Sequence, residues 1–284
     1  MPSRSQIIER AKPLLGTTVT IRVHGLAPAR ARDAIGAGFA AVAEVHAAMS
    51  FHETESDVSR LNRAAHLGPV AVGAGTYAVI ARALAVSALT DGAFDITVAP
   101  LVVARGHLPR PAHAPEPDGA AIWHDVALLP ETRIRFRRPL WVDLGGIAKG
   151  FAVDRAMEAV LSFAPKQVCV NAGGDLAIAG PETERVHLAA GLGEDADVAM
   201  MELSDGSLAS SESTDRGAHI DPRRRTRGSR QFVSVAAPRC IDADALTKVV
   251  LARGACSAKA LAAFGAHAVV HDTAFGWREI RGHA

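Results

Sequence analysis

We predict an α+β fold, in which helices pack on a mixed β-sheet, from three features of the sequence. Residues 17–25 alternate β-branched and polar side chains with period two, which is typical of a half-buried strand. Residues 29–49 and 76–90 are rich in alanine and repeat apolar side chains at helical spacing. The strand and helix patterns alternate without a regular βαβ period, so a mixed sheet is favoured over a doubly wound one.

Shorter patterns predict the remaining elements. Further strands are expected at residues 132–138, 140–145, 167–174, 175–180, 185–192 and 231–237, and further helices at 147–163, 243–253 and 256–264. Residues 50–68 are polar and are expected to form a loop. Prolines and histidines at about 104–121 predict an exposed loop, in which solvated His107 and His113 are favoured over a metal site. We expect residues 1–284 to form a single domain.

The composition excludes several classes of function. A hydrophobic content of 49% is ample for a core, and a net charge of +1 gives no field that would attract nucleic acid or a membrane surface. The short basic run at residues 223–225 is expected to be a solvated loop. Three widely spaced cysteines support neither a disulfide framework nor a zinc site. With no apolar leader or long apolar run, we expect no membrane anchor and a cytoplasmic location.

The stretch at residues 142–155, VDLGGIAKGFAVDR, places an acid and two glycines before a lysine and an expected helix. Backbone N–H groups at a helix N-terminus attract anions, and glycines let the backbone approach a phosphate closely. The spacing matches neither the dinucleotide motif G-x-G-x-x-G nor the P-loop G-x-x-x-x-G-K-[ST]. The stretch therefore predicts a phosphate site outside those two nucleotide-binding folds.

Four other polar segments are ambiguous when each is taken alone. Their structural interpretations are a strand entering a proline turn at 92–102, a hairpin around Gly-Gly-Asp at 170–180, a loop at 218–222 and a helix at 242–250. In the last of these, Asp242 or Asp244 could cap the helix N-terminus.

Taken together and in order, these segments resemble the ApbE family, flavin transferases that move FMN from FAD onto a threonine of a target protein. The similar segments are residues 15–17, 49–56 with 60–62 after them, 94–102 and 143–154. In the last segment the family pattern D-L-G-G-x-A-K-G-x-x-x-D is matched at every fixed position. The resemblance runs from about Leu15 to beyond Gly254.

The resemblance implies a T-fold-like architecture with a largely antiparallel sheet, FAD as substrate and Mg²⁺ as cofactor. The implied FAD-binding residues are Leu15, His52, Ala93, Phe94, Asp95, Asp143, Lys149 and Ile220. The implied metal ligands are a backbone carbonyl near Gly146 together with Asp244 and Thr247, and the implied catalytic residues are His219, as general base, and Asp244.

The implied reaction cleaves the FAD pyrophosphate. A threonine hydroxyl of a flavoprotein acceptor attacks the phosphorus on the FMN side, and AMP leaves. Phosphoryl transfer of this kind depends mainly on positioning and on neutralising charge, so a metal ion, a lysine and one general base would suffice.

The chain departs from the family pattern close to the implied chemistry. His52 replaces a tyrosine that stacks on the flavin, and residues 210–212 read Ser-Ser-Glu instead of Thr-Ser-Gly. The motif HIIDP reads AHIDP at 218–222, and Lys248 occupies a threonine position of the metal motif. These changes motivate two alternatives, a non-catalytic FAD-binding or regulatory protein and a hydrolase that splits FAD into FMN and AMP.

Lys248 has two expected arrangements. If residues 242–250 are helical, Asp244, Thr247 and Lys248 lie on one face. The ammonium group could turn away and pair with Asp242 or Glu212, or it could replace the charge of the metal beside the diphosphate. We favour the second arrangement, because a compact ammonium group can neutralise phosphate directly.

Overall fold

A computed structural model describes residues 7–191, 197–213 and 231–282. The helices in these ranges are α1 (Pro28–Met49), α2 (Asp57–Ala64), α3 (Ala74–Leu89), α4 (Ala99–Ala104), α5 (Ala148–Leu161), α6 (Cys240–Arg253) and α7 (Ala258–Ala263), with 3-10 turns at Ile96–Val98, Trp123–Asp125 and Gly254–Ser257. The strands are β1 (Ile8–Leu14), β2 (Thr17–His24), β3 (Val70–Ala71), β4 (Val126–Leu129), β5 (Arg133–Phe136), β6 (Gln167–Ala172), β7 (Asp175–Ala179), β8 (Glu184–Ala190), β9 (Asp197–Leu203), β10 (Gly206–Ser213), β11 (Gln231–Ala237), β12 (His267–Asp272) and β13 (Gly276–Arg281).

The main sheet has eight strands in the order β1-β2-β6-β7-β10-β11-β12-β13. Every neighbouring pair in it is antiparallel. Two small antiparallel sheets, β3-β5-β4 and β8-β9, lie outside it. The expected α+β class with a largely antiparallel sheet is therefore confirmed.

One face of the main sheet carries the helices. Helix α5 packs between α1 and α6 and against β6 and β7, while α6 also contacts β10 and β11. Gly38 of α1 allows close packing, since an added Cβ would lie 2.7 Å from Ile21 Cδ1 and 2.9 Å from Val160 Cγ2. The arrangement brings the N-terminal half of α5 beside α6, and the implied metal ligands of the family resemblance lie on α6 and in the turn before α5.

The opposite face of β7, β10 and β11 is covered by the β8-β9 hairpin. Leu188 of β8 and Leu203 of β9 pack on Leu176, Ile178 and Leu208 of the main sheet. Because Leu176 and Ile178 are two residues apart on one strand, they share this face, while Ala177 between them joins the core under the helices.

The segment at 50–68, expected to be a loop, contains α2. The Ser56 hydroxyl accepts a hydrogen bond from Ser59 N–H and caps the helix. Val58 and Leu61, three residues apart, are fully buried and fix the inner face. The expectation was wrong because a helix of two turns needs few apolar residues when its cap and its buried face are both in place.

Residues 140–145, expected to be a strand, form no strand and end in a turn at Gly145. The buried amide of Asn62 takes the place of a partner strand, accepting from Val142 N–H at 2.8 Å and donating to the Val142 carbonyl at 3.1 Å. Likewise residues 92–102 form a 3-10 turn and α4 instead of a strand. The first segment is thus held by a side chain distant in sequence, whereas in the second Asp95 accepts locally from Thr97 N–H.

Other expectations hold with small shifts in their boundaries. Residues 170–180 form the expected antiparallel hairpin, with Ala172 opposite Asp175. The loop after α4 lacks regular structure, and it is held to the body of the protein by Trp141, whose indole N–H donates to the Pro115 carbonyl. Among the helices of the described ranges, none is both long and apolar enough for a membrane crossing.

Candidate functional site

The Gly-rich motif lies in the turn that leads into α5. Asp143 N–H donates to the Ile96 carbonyl at 2.9 Å, which ties the turn to the segment at 92–102. Asp143 Oδ1 accepts from Gly145 N–H at 3.1 Å, and its partial burial raises the pKa of this carboxyl group. A Cβ added to Gly146 would lie 3.4 Å from the ring of Phe94 and 3.5 Å from Lys248 Cε. The two sequence motifs therefore meet at Gly146.

The helix N-terminus itself is already largely satisfied. Ile147 and Ala148 N–H groups both donate to the Leu144 carbonyl, and Gly150 N–H donates to Asp244 Oδ2 at 3.0 Å. The sequence predicted that these backbone donors would bind a phosphate. Each of these N–H groups has a single proton that an acceptor within the protein already takes, whereas the lysine ammonium groups described below have three donors each and can bind an anion while they contact an acid.

The Asp95 carboxylate accepts hydrogen bonds that fix the backbone next to Phe94. Oδ1 accepts from both the N–H and the hydroxyl of Thr97 at 2.8 Å, and Oδ2 accepts from Trp123 N–H at 3.3 Å. Burial raises the pKa of Asp95, against the effect of these donors. Ala93 is also buried, so both residues are placed to hold Phe94 in position.

Lys149 reaches from α5 to the first residue of β7. Its Nζ lies 2.8 Å from Asp175 Oδ2, and the Asp175 side chain is fully buried. Burial works to lower the pKa of Lys149, but the nearby charges of Asp244 and Asp175 outweigh it and raise the pKa. Lys149 is therefore a permanently charged group whose side chain is 31% exposed above a buried acid.

Asp244 is the fully buried acid at the centre of the cluster. Lys248 Nζ, one helical turn along α6, contacts Asp244 Oδ1, while Gly150 N–H donates to the other oxygen. Burial would raise the pKa of Asp244, but Lys248 and Lys149 outweigh it and lower the pKa. Asp244 is thus held as a carboxylate by two lysines and one backbone donor.

Thr247 completes the α6 face. Its buried hydroxyl donates to the Asp244 carbonyl at 2.7 Å and lies 2.8 Å from the Ser211 hydroxyl on β10. The expectation that Asp244, Thr247 and Lys248 share a face is confirmed by these contacts.

Lys248 pairs with neither acid that the sequence suggested. Its partner is Asp244, whereas Asp242 forms two hydrogen bonds with Arg82, at 2.6 and 2.7 Å. The expected N-cap role of Asp242 or Asp244 is also wrong, since α6 begins at Cys240 and both acids lie inside the helix. The position of Arg82 on α3 could not be predicted from the sequence, and this side chain takes Asp242 and leaves Asp244 to Lys248.

Two polar residues of the site escaped the sequence analysis. Asp175 was assigned only to the turn of a hairpin, and Ser211 only to a departure from the family pattern. An acid directly after Gly-Gly at the start of a buried strand was the available signal for Asp175, because buried carboxylates are rare without a partner.

The remaining expected residues lie around this centre. Leu15, with a positive φ of 56°, occupies the turn between β1 and β2, and Thr17 after it lies against Gly173 of the next hairpin. His52 is exposed and close enough to Asp143 to favour its charged form. His219 and Ile220 lie outside the described residues, as does the basic run at 223–225.

The expected Mg²⁺ ligands do not fit a divalent cation in this arrangement. One oxygen of Asp244 faces the Lys248 ammonium group and the other accepts a backbone hydrogen bond. Asp244 is the sole carboxylate in the expected ligand set, and within the described ranges no three His, Cys, Asp or Glu side chains cluster as candidate metal ligands. A second positive charge at this distance from Lys248 would be strongly repelled.

The comparison with known families agrees with this geometry. A family model described as "ApbE family" matches residues 15–270, which include both motifs that meet at Gly146. The chain belongs to the ApbE family. Lys149 and Lys248 both lie within the matched residues.

Curated relatives carry the name FAD:protein FMN transferase. The Haemophilus influenzae protein is 29% identical over 234 residues, covering 72% of this chain and 68% of the relative. A Vibrio cholerae protein is 31% identical over 145 residues, covering 48% of this chain and 43% of the relative.

Solved ApbE structures share the fold. The Thermotoga maritima ApbE protein has a TM-score of 0.79 at 26% identity, covering 93% of this chain and 94% of the other. The flavin transferase ApbE from Vibrio cholerae has a TM-score of 0.80 at 24% identity, covering 97% of this chain and 96% of the other. The antiparallel sheet with its helical layer is therefore the ApbE fold.

The pKa of Asp175 gives an expected pH dependence of stability. Burial, together with the neighbouring charge of Asp244, raises this pKa from 3.8 to about 6. The folded state therefore binds a proton more tightly than the unfolded state, so the stabilisation is complete below 3.8 and is lost as the pH rises through about 6. Urea unfolding between pH 3.8 and about 6 should show that the contribution of Asp175 to the free energy of unfolding falls as the pH rises, and Asp175→Asn should remove this fall. If the free energy of unfolding of the variant depends on pH as that of the wild type does, the raised pKa of Asp175 is contradicted.

Proposed function

We propose that this ApbE chain transfers FMN from FAD to a threonine side chain of an acceptor protein and releases AMP. The observation that carries the proposal is the pair Lys149 and Lys248, whose side chains are 31% and 21% exposed above fully buried acids. Family membership and the names of the curated relatives support the same reaction. The expected cytoplasmic location stays a prediction.

Each group near the site has a role in this proposal. The two ammonium groups bind the diphosphate oxygens of FAD and neutralise charge as it shifts toward the leaving AMP. Gly146 leaves room beside Phe94 for the ligand to approach the turn. Asp175 and Asp244, which are fully buried, fix the two lysines from below.

The proposed step is an in-line displacement at phosphorus. The threonine oxygen forms a bond to the FMN-side phosphorus, the bond from that phosphorus to the bridging oxygen breaks, and AMP leaves with the electron pair. The hydroxyl proton passes to a general base. His219 is the proposed base from the family resemblance, and it lies outside the described residues.

Mg²⁺ would supply a charge clamp on the diphosphate, as the family resemblance implies. In this chain the Lys248 side chain lies beside the expected ligand Gly146 and contacts the expected ligand Asp244, so no step of the proposal depends on the metal. Lys248 also favours a second candidate, a non-catalytic FAD-binding protein. On that alternative, catalysis would depend on the metal motif that the lysine changes, while the positive charge that it keeps can still bind the diphosphate.

Mass spectrometry of an acceptor separates these functions. An acceptor protein modified by the Haemophilus influenzae relative is incubated with this chain and FAD, with its threonine intact or replaced by alanine. We expect the intact acceptor alone to gain the mass of one FMN residue. Free FMN and AMP with an unmodified acceptor would indicate a hydrolase, and unchanged FAD that remains bound would indicate the non-catalytic protein.

Lys149→Ala is expected to weaken FAD binding by about tenfold to a hundredfold, since a hydrogen bond to a charged group is worth about 1.5–3 kcal/mol. Calorimetric titration measures the affinity, and a melting curve verifies that the variant is folded. Lys259→Ala, on the exposed surface of α7, is the matched control and should bind FAD like the wild type. Equal affinities in all three proteins would place the diphosphate away from Lys149.

A further inference from the structure

We propose that the Lys248 ammonium group replaces the divalent cation of this site, so that the chain binds the FAD diphosphate through two lysines without a metal. This inference rests on the proposed function, because it concerns how the same diphosphate is held. It adds an assignment for Lys248, one of the residues at which the chain departs from the family pattern.

The first argument is positional. Two of the three expected metal ligands, Gly146 in the turn before α5 and Asp244 of α6, face one space. The Lys248 side chain fills that space: its Cε lies 3.5 Å from the position of a Cβ on Gly146, and its Nζ contacts Asp244 Oδ1. A cation bound to the same carboxylate oxygen would have to displace the lysine.

The second argument is the balance of charge. Lys149 and Lys248 carry two positive charges, and Asp175 and Asp244 can supply two negative charges, so the four groups balance without a metal. Adding a divalent cation would leave a surplus of positive charge in a poorly solvated site, which is unfavourable before FAD arrives. The bound diphosphate then meets ammonium groups that are already fixed by their acids.

The third argument concerns Thr247. Its hydroxyl donates to the Asp244 carbonyl and is also engaged with Ser211, so its hydrogen-bonding capacity is largely used within the protein. The same contacts join α6 to β10, so this hydroxyl is a structural link and is not left open to a metal ion.

The test compares FAD affinity in EDTA and in millimolar Mg²⁺, by calorimetric titration of the full chain. For the wild type we expect the two dissociation constants to agree within about twofold. For Lys248→Thr we expect binding at least about tenfold weaker in EDTA than in Mg²⁺, because the metal then supplies the missing charge. Lys259→Thr, an exposed lysine on α7, should behave like the wild type.

Melting curves without FAD give a second readout. Mg²⁺ should raise the melting temperature of Lys248→Thr, where Asp244 is left open to a cation, and should not raise that of the wild type or of Lys259→Thr. Lys248→Arg keeps the positive charge and should bind FAD in EDTA more tightly than Lys248→Thr. This variant and the wild type keep the test informative even where Lys248→Thr folds poorly.

The outcomes separate the two proposals. A wild type whose FAD affinity falls about tenfold in EDTA would overturn the replacement of the metal and leave the transferase function standing. Lys248→Thr that binds FAD in EDTA as tightly as the wild type would also overturn it. Absence of FAD binding to the wild type in both buffers would overturn the proposed function, and this inference with it.

Discussion

Gly150→Ala is expected to lower the free energy of unfolding by about 3 kcal/mol, the upper part of the usual range for an overpacked core. An added Cβ would lie 2.2 Å from the Cys240 carbonyl oxygen and 2.6 Å from its carbon, where backbone cannot move aside as a flexible side chain would. It would also lie 2.8 Å from Asp244 Cβ. The substitution therefore pushes α5 away from α6 and weakens the hydrogen bond from Gly150 N–H to Asp244.

Gly36→Ala is the matched control for this prediction. Gly36 lies in α1, is exposed, and has no atom within 4 Å of an added Cβ. Alanine at an exposed helical position should raise stability by about 0.5–1 kcal/mol. Urea unfolding of both variants measures the difference, and a Gly150→Ala protein as stable as the wild type would contradict the close contact between the two helices.

Asp244→Asn is expected to cost about 3 kcal/mol of stability, as when one partner of a buried ion pair is removed. The amide keeps an acceptor for Gly150 N–H, but it removes the charge that lies against Lys248 and near Lys149. Asp175 is then the remaining acid of the cluster for both ammonium groups. We also expect weaker FAD binding, because the lysines lose the group that fixes their positions.

Glu158→Gln provides the control for the loss of an acid. Glu158 pairs with Arg155 on the surface of α5, where both side chains are about half exposed, and such pairs are worth about 0–1 kcal/mol. Chemical unfolding should therefore separate the two variants clearly. Similar losses in both would mean that the cluster around Asp244 contributes no more than a solvated ion pair.

The sequence predicted best the elements whose pattern is long and regular. Residues 17–25 and 29–49 correspond to β2 and α1 within a residue or two, because period-two and helical repeats persist over their full length. Strand β10, GSLASSES, escaped because serines on both faces hide the alternation, although Leu208 and Ala209 are fully buried. Its place in the sheet is fixed by pairing with β7 and β11, which are distant in sequence.

In the candidate site, too, local relations could be predicted from the sequence and long-range contacts could not. Spacing alone placed Asp244, Thr247 and Lys248 on one helical face, since that relation is local. The choice of acid for Lys248 is not local, because Arg82 of α3 takes Asp242 and leaves Asp244 as the partner. The burial of Asp175 beneath Lys149 likewise depends on how β7 packs against α5.

The most direct test of the proposed transfer is the ratio of its two products in one sample. AMP is quantified by chromatography and the FMN-bearing acceptor by intact mass, after incubation of the wild-type chain with FAD and an acceptor of the Haemophilus influenzae relative. We expect one AMP for each flavinylated acceptor at every time point, and neither product when the acceptor threonine is replaced by alanine. AMP matched by free FMN, with the acceptor unmodified, would contradict transfer to the protein.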